Sequence, residues 1–426
     1  MSVALSSDSA GMSKAALKRV DDHIRRNYIE AGRYAGTDFL VYRRGEIVHR
    51  AVQGLADLER QAPIKENTIF RIYSMTKPIT SVAFMMLVEE GRVALEEPVH
   101  KYIPEWKNLG VYLAGTAPAF LTKPPARPML IVDLLRHTSG LTYGFQLRTN
   151  VDAAYREKNI GGVELSGTLR SMIEELAPIP LEFSPGEAWN YSISTDVIGY
   201  LIEKISDRPL DQFLEERIFR PLGMTDTGFF VPAEKAGRLA ACYAANPQGA
   251  TTFVGVRPVG LTLQDDPAKS AYLKAPSFLS GGGGLCSTTS DYLTFCRALL
   301  NGGEINGVRL IGRKTLALMT SNHLPGGRDL PALSRSLFSE AAYNGVGFGL
   351  GVSVTMDPAQ TLIAGSAGEY AWGGAASTAF WIDPAEELIT IFMTQLLPSS
   401  AYPIRRELRS MVYAAITDSN TVNGRR

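Results

Sequence analysis

Strand-like patterns gather at the two ends of this chain and helical ones fill the stretch between, which limits the folds open to it. Near the N-terminus, DFLVY and EIVHRAV flank Arg43-Arg44-Gly45, the pattern of two strands joined by a tight turn. Near the other end, STAFWI and LITIFMT flank Asp383-Pro384-Ala385-Glu386. A helix capped by Ser13, with Leu17, Val20, Ile24 and Tyr28 at helical spacing and Gly32 as its stop, precedes the first pair. A helix rich in Arg, Leu and Met follows the second from about Tyr402. Between roughly 79 and 300 the signals are mainly helical, as in ITSVAFMMLVEE ending at Gly91, TDVIGYLIEKIS and SDYLTFCRALLNGG. Loops such as TKPPARP and LSGGGGL interrupt this region, but no repeat, charge block or flexible linker divides the chain. The expected architecture is an α/β lobe built from 14–78 and about 300–417, with a mainly helical lobe, about 79–299, inserted between its halves. A cleft between such lobes is a common place for a small-molecule site.

The 426 residues are 45% hydrophobic, enough for a sizeable core. With 43 basic and 43 acidic residues the formal net charge is zero, so no global field favours nucleic acid, an anionic membrane surface or acidic substrates. Cys242, Cys286 and Cys296 are an odd number without CxxC spacing, which points to neither a disulfide framework nor a zinc site. No apolar run has signal-peptide form or transmembrane length, and the chain reads as cytoplasmic. HExxH, a P-loop, a GxGxxG between strand and helix, and GxSxG are all missing, so no metal or cofactor is expected and an α/β-hydrolase elbow is disfavoured.

Three short elements carry chemistry. In SMTKPIT, Ser74 and Lys77 would lie ~4.5 Å apart along a helix axis and on nearly the same face. Pro78 is tolerated only near a helix start, which puts the free N–H groups of the first turn beside the Ser74 hydroxyl. The helix behind is apolar nearly all round, hence buried, and a lysine near its start needs a reason. The same local features also fit a serine that caps the helix and a lysine that reaches solvent. In PGEAWNYSISTDVIGY, Tyr191 ends a loop before a helix, and a neighbouring ammonium would favour its ionised form; isolated, it reads as a packing tyrosine. In AGEYAWGGAASTAFWIDP, Gly373 and Gly374 would let a strand edge approach a substrate, with the following N–H aimed at a carbonyl oxygen; a glycine bulge is the alternative.

Ser-x-x-Lys, then Tyr-Ser, then Trp-Gly-Gly, in this order and at these separations, resembles the serine β-lactamase and penicillin-binding-protein superfamily, closest to class C β-lactamases and family VIII carboxylesterases. LLRHTSGLTYG, FSPGEAWNYS and GGGGLCSTTSDYLTF extend the likeness over about 14–417. The resemblance implies a mixed α/β domain with a central antiparallel sheet flanked by helices, an inserted helical domain, and a site at their junction. It further implies Ser74 as nucleophile, Lys77 as its activating partner, Tyr191 as general acid/base, and the N–H groups of Ser74 and Ala375 as oxyanion hole.

Two departures from the class C pattern bear on substrate. Ile193 stands where that pattern has an asparagine amide, and Trp372-Gly373-Gly374 stands where it has Lys-Thr-Gly. An apolar surface in place of a cation shifts the expectation toward small, uncharged esters, with Trp372, Gly373, Gly374 and Ile193 contacting substrate. Tyr143 and Phe145 are expected to wall the acyl side, Glu369 and Tyr370 to line the pocket, and His137 to be a structural histidine. The expected activity is carboxylesterase, with a β-lactamase, a D,D-peptidase, an acyltransferase or a catalytically silent sensor of the same fold as rivals. The expected partner is a small-molecule ester, without nucleic acid or membrane; monomer and homo-oligomer are both open.

Overall fold

The computed structural model describes residues 10–161, 166–245, 260–335 and 344–418. Helix α1 (Lys14–Ile24) is capped by Ser13, whose hydroxyl accepts from the Ala16 N–H at 3.2 Å. It continues through Tyr28 as a π turn and the chain leaves it at Gly32 in a left-handed conformation, φ +63°. Strands β1 (Gly36–Arg43) and β2 (Glu46–Asp57) form the expected hairpin about Arg44-Gly45, both at positive φ as a two-residue turn requires. The short β3 (Ala62–Pro63) pairs with β2.

The middle of the chain supplies α2 (Thr76–Glu89), α3 (Ser194–Ser206) and α4 (Thr289–Leu300). The chain then returns through β4 (Val346–Phe348), β5 (Ser353–Thr355), β6 (Tyr370–Gly373), β7 (Ala379–Asp383) and β8 (Leu388–Met393), ending in α5 (Ile404–Tyr413). Eight strands make one antiparallel sheet in the order β4-β5-β6-β7-β8-β1-β2-β3. Strands from near the two ends of the described chain therefore meet in mid-sheet, where Phe39 of β1 lies opposite Phe392 of β8.

Both faces of this sheet are covered, which explains why DFLVY is apolar without alternation. Phe39 and Val41 pack with Leu17, Val20 and Ile24 of α1 and with Ile404, Leu408 and Val412 of α5. Leu40 and Tyr42 face the other way, into a core shared with α2 and α3. Every residue of α2 from Thr76 to Leu87 is buried, and α2 packs along α3, so its all-round apolar sequence marks the centre of the molecule. Helix α4, which its sequence groups with the middle helices, lies instead on β7 and β8, with the Tyr292 ring 5.1 Å from that of Phe380. The middle also contains a hairpin, Val111–Thr116 with Ala119–Lys123, within a region whose sequence signals are mainly helical. Among the described residues no helix is long and apolar enough to cross a membrane.

One buried cation fastens the sheet to both ends of the described chain. Arg43, at the end of β1, donates from Nη1 to Ala10 O and Gly11 O at 2.7 and 2.8 Å, and from Nη2 to Glu386 Oε2 and Asp418 O, both at 2.7 Å. Removing this guanidinium takes the ion-pair partner from a buried carboxylate and a donor from several carbonyls. Arg43→Met is expected to lower stability by ~3–5 kcal/mol in urea denaturation, and an unchanged midpoint would refute the account.

Candidate active site

Ser74 is delivered by a short strand and a sharp bend. Phe70–Arg71 pairs with Cys286–Ser287, and the Ile72 N–H continues the pairing to Leu285 O at 3.0 Å. The backbone then turns at Tyr73, whose φ of +43° is one that L side chains rarely adopt, and a single 3₁₀ turn, Tyr73–Met75, leads into α2. Ser74 therefore precedes the helix rather than capping it; Met75 is the N-cap and no side chain caps the end. The 280–292 segment holds this junction. Thr80 Oγ1 donates to Gly281 O at 2.8 Å, the Leu285 N–H to Thr76 Oγ1 at 3.2 Å, and the Tyr292 hydroxyl to Met75 O at 3.0 Å.

Around the Ser74 hydroxyl the structure brings together the three residues the sequence singled out. Tyr191 donates its phenol proton to Ser74 Oγ at 2.7 Å, and Lys77 Nζ lies 3.4 Å from the same oxygen. Lys77 is buried, its Nζ bonded to Gly282 O at 2.7 Å and to the Tyr143 hydroxyl at 3.2 Å, and 4.6 Å from the centre of the Tyr191 ring. Burial pulls the Lys77 ammonium down to about 7, against the pull of the Asp196 carboxylate. Burial pushes Tyr191 above its ordinary range, opposed by its bonds to Ser74 and the Trp372 indole. A neutral amine carries two protons and one lone pair, which matches three neighbours: donors to Gly282 O and Tyr143, an acceptor for the serine proton.

Three participants were not singled out for this role by the sequence. The Tyr143 hydroxyl, expected only as part of an acyl wall, is a partner of Lys77. Gly282 links Lys77 to Asp196, its carbonyl taking the lysine while its N–H donates to Asp196 Oδ1 at 3.0 Å. Asp196 also accepts from Ser280 Oγ at 2.6 Å; burial raises its carboxyl and Lys77 draws it back. A Cβ on Gly282 would sit 2.6 Å from Asp196 Oδ2, so glycine is needed there for contact between protein groups. The visible signal was an aspartate in the otherwise apolar run TDVIGYLI.

The loop before α3 places Tyr191. Its carbonyl accepts from Gln146 Nε2 at 2.7 Å, and the neighbouring Asn190 N–H donates to His137 O at 2.9 Å. His137 is buried, bonded through Nδ1 to Ser192 Oγ at 3.1 Å and packed 5.1 Å from the Tyr191 ring; burial, then Lys77, holds it well below its ordinary value and therefore neutral. It supports the loop, as a structural histidine should.

Strand β6 runs beside the Ser74 turn. The Trp372 ring packs 5.6 Å from Tyr191 and 5.2 Å from Phe348, and the partly exposed Ala375 follows in a tight turn closed by the Gly374 N–H to Thr378 O at 2.9 Å. The space that a side chain would take at either glycine is filled by protein. A Cβ on Gly373 would meet the Arg405 guanidinium carbon at 2.5 Å, and one on Gly374 would meet Ile72 O at 2.4 Å. Phe145 stacks on Tyr143 at 4.8 Å and is 53% exposed, at the rim of the site.

Three further expectations are corrected. Ile193 is fully buried at the start of α3, against the position of Gly161, and offers no surface to a ligand. Glu369 faces α5, accepting from Tyr413 at 2.6 Å and Arg409 at 3.1 Å. Tyr370 is packed in the core on the inner face of the sheet.

An eight-stranded antiparallel sheet with helices on both faces, and a Ser-x-x-Lys entering a buried helix, define a serine hydrolase of the β-lactamase-like class. Residues 21–413 match the Beta-lactamase family model, and the chain belongs to that family. It is 35% identical over 377 residues to Protein Rv1367c of Mycobacterium tuberculosis (strain ATCC 25618 / H37Rv), covering 88% of each chain. It is 31% identical over 422 residues to Esterase EstB of Burkholderia gladioli, covering 96% of this chain and 97% of that one. Among solved structures it is similar to EstCE1, described as a hydrolase with promiscuous acyltransferase activity, with a TM-score of 0.74, 25% identity, and coverage of 94% of this chain and 99% of that one.

Proposed function

We propose that this chain is a serine carboxylesterase that hydrolyses small, uncharged carboxylic esters through an acyl-enzyme on Ser74, with weak cleavage of cephalosporin-like β-lactams. The observation that carries the reading is the seat of Ser74 Oγ between a phenol that donates to it at 2.7 Å and a desolvated amine at 3.4 Å. Lys77, rather than Tyr191, takes the serine proton, because burial lowers the one and raises the other. Ser74 Oγ bonds to the ester carbonyl carbon, and the carbonyl oxygen becomes an anion held by the Ser74 and Ala375 N–H groups. Collapse breaks the bond to the alkoxide, which leaves with a proton passed through Tyr191 from Lys77. Water then gives a proton to the same pair, adds to the acyl carbon and releases the acid, and Ser74 recovers its hydrogen.

The preference for uncharged esters rests on the missing cation, since the buried Trp372 stands where class C β-lactamases carry a carboxylate-binding lysine, and on the likeness to Esterase EstB. Three buried, unpaired cysteines support a reducing, cytoplasmic setting. The test is a p-nitrophenyl ester chain-length series run beside nitrocefin. Short esters are expected to turn over at least ~100-fold faster than nitrocefin. Nitrocefin cleaved as fast as the best ester would favour a β-lactamase, and ester product diverted wholly to an added alcohol would favour an acyltransferase.

A further inference from the structure

The contact that makes Gly373 a glycine leads to a role for Arg405. This arginine stands in the first turn of α5, on the sheet face away from Ser74, beside a cavity of about 300 Å³ that Ala371, Trp381 and Tyr402 also line. Its Nη2 donates to Gly374 O and to Thr378 O, both at 2.7 Å. These carbonyls bracket the turn that carries Ala375. The turn is tied elsewhere by the Ser377 N–H to Gly374 O at 3.1 Å, Ser377 Oγ to Leu396 O at 2.7 Å and the Leu396 N–H to Ala376 O at 3.1 Å.

The Gly374 carbonyl and the Ala375 N–H belong to one planar peptide unit. A cation bonded to the carbonyl fixes the direction of the N–H and, by polarising the amide, makes it a stronger donor. Burial lowers the guanidinium to about 10, a cost that a hydrophobic side chain filling the same space would avoid. Its bonds to Gly374 O and Thr378 O offset part of that cost.

We propose that Arg405 is a positioning residue that aims and polarises the Ala375 N–H for the oxyanion, acting from the far face of the sheet through the Gly374–Ala375 peptide. This rests on the reading of Ser74 as nucleophile and Ala375 as oxyanion donor. Arg405→Met is expected to lower kcat on p-nitrophenyl butyrate by ~10–100-fold, with KM and the inhibition constant of butyrate little changed. A boronic acid, whose tetrahedral adduct fills the oxyanion position, should lose affinity by a similar factor. Arg405→Lys should recover part of both losses, since an ammonium still reaches one carbonyl. If Arg405→Met does not fold, Gly373→Ala decides, because its Cβ displaces the guanidinium and should reproduce the kcat loss. Full kcat in Arg405→Met, or a kcat loss with boronate affinity intact, overturns the proposal. Ser74→Ala separates the two readings: a fully active Ser74→Ala refutes the nucleophile, whereas an inactive Ser74→Ala beside a fully active Arg405→Met refutes only the clamp.

Discussion

Alanine at position 74 is expected to lower p-nitrophenyl butyrate hydrolysis by ~10⁴-fold or more while the protein stays folded. The substitution removes one oxygen from a partly exposed position on a 3₁₀ turn whose backbone is held by Ile72, Leu285 and Tyr292. Its structural cost is therefore small and its chemical cost large: Tyr191 and Lys77 keep their places with nothing between them to acylate. A fluorophosphonate should add to the wild-type peptide that contains Ser74, read by mass spectrometry, and leave the variant unlabelled. Undiminished hydrolysis in Ser74→Ala, or a wild type that resists the label, would remove the basis for an acyl-enzyme and leave the sensor reading.

Lysine 77 should produce the second large effect, and pH its signature. An ordinary lysine is an ammonium until well above neutral pH, but burial brings this one down to about 7. Below that value it has no lone pair for the serine proton; above it, the neutral amine accumulates. For wild type, kcat/KM is therefore expected to climb with pH and level off once pH exceeds about 7. Lys77→Met should reduce the rate by ~10³-fold and abolish that acid limb. A variant that kept the limb would assign it to another group, with the Asp196 carboxyl, raised by burial, the first to examine.

The features of the fold readable from sequence were local ones. Arg44-Gly45 marked a hairpin because two positive-φ residues are a property of the turn itself, and the all-apolar α2 marked the buried centre because only burial accommodates such a helix. Ser74 and Lys77 were legible through Tyr191-Ser192 and Trp372-Gly373-Gly374 following them in a known order; their spacing alone fitted a helix cap equally well, and Ser74 in fact precedes the helix. The setting of Lys77 was not legible, since Tyr143, Asp196 and Gly282 come from distant parts of the chain and are joined only by tertiary packing. Glu369 failed because it stands just before β6 and its carboxylate is taken by Tyr413 and Arg409 of α5, partners that only tertiary packing supplies. Ile193 misled because the position follows a motif whose polar member is replaced here; an isoleucine freed from that task packs inward. The glycine pair was recognised for its lack of side chains, but the atoms that occupy the space belong to Arg405 and Ile72.

Joining β1 to β8 in mid-sheet also has a cost in time. Arg43 and Glu386 are 343 positions apart, yet they meet at the junction of β1 and β8. Contacts of such long sequence separation make folding slow. On a ribosome adding roughly 5–20 residues per second, the β1–β2 hairpin waits tens of seconds for the strand that completes it. Throughout that interval β1, buried at every residue in the finished sheet, presents an open apolar edge to other nascent chains. The connectivity that sets Ser74 beside β6 thus leaves β1, the first of the described strands to be synthesised, in need of a temporary cover.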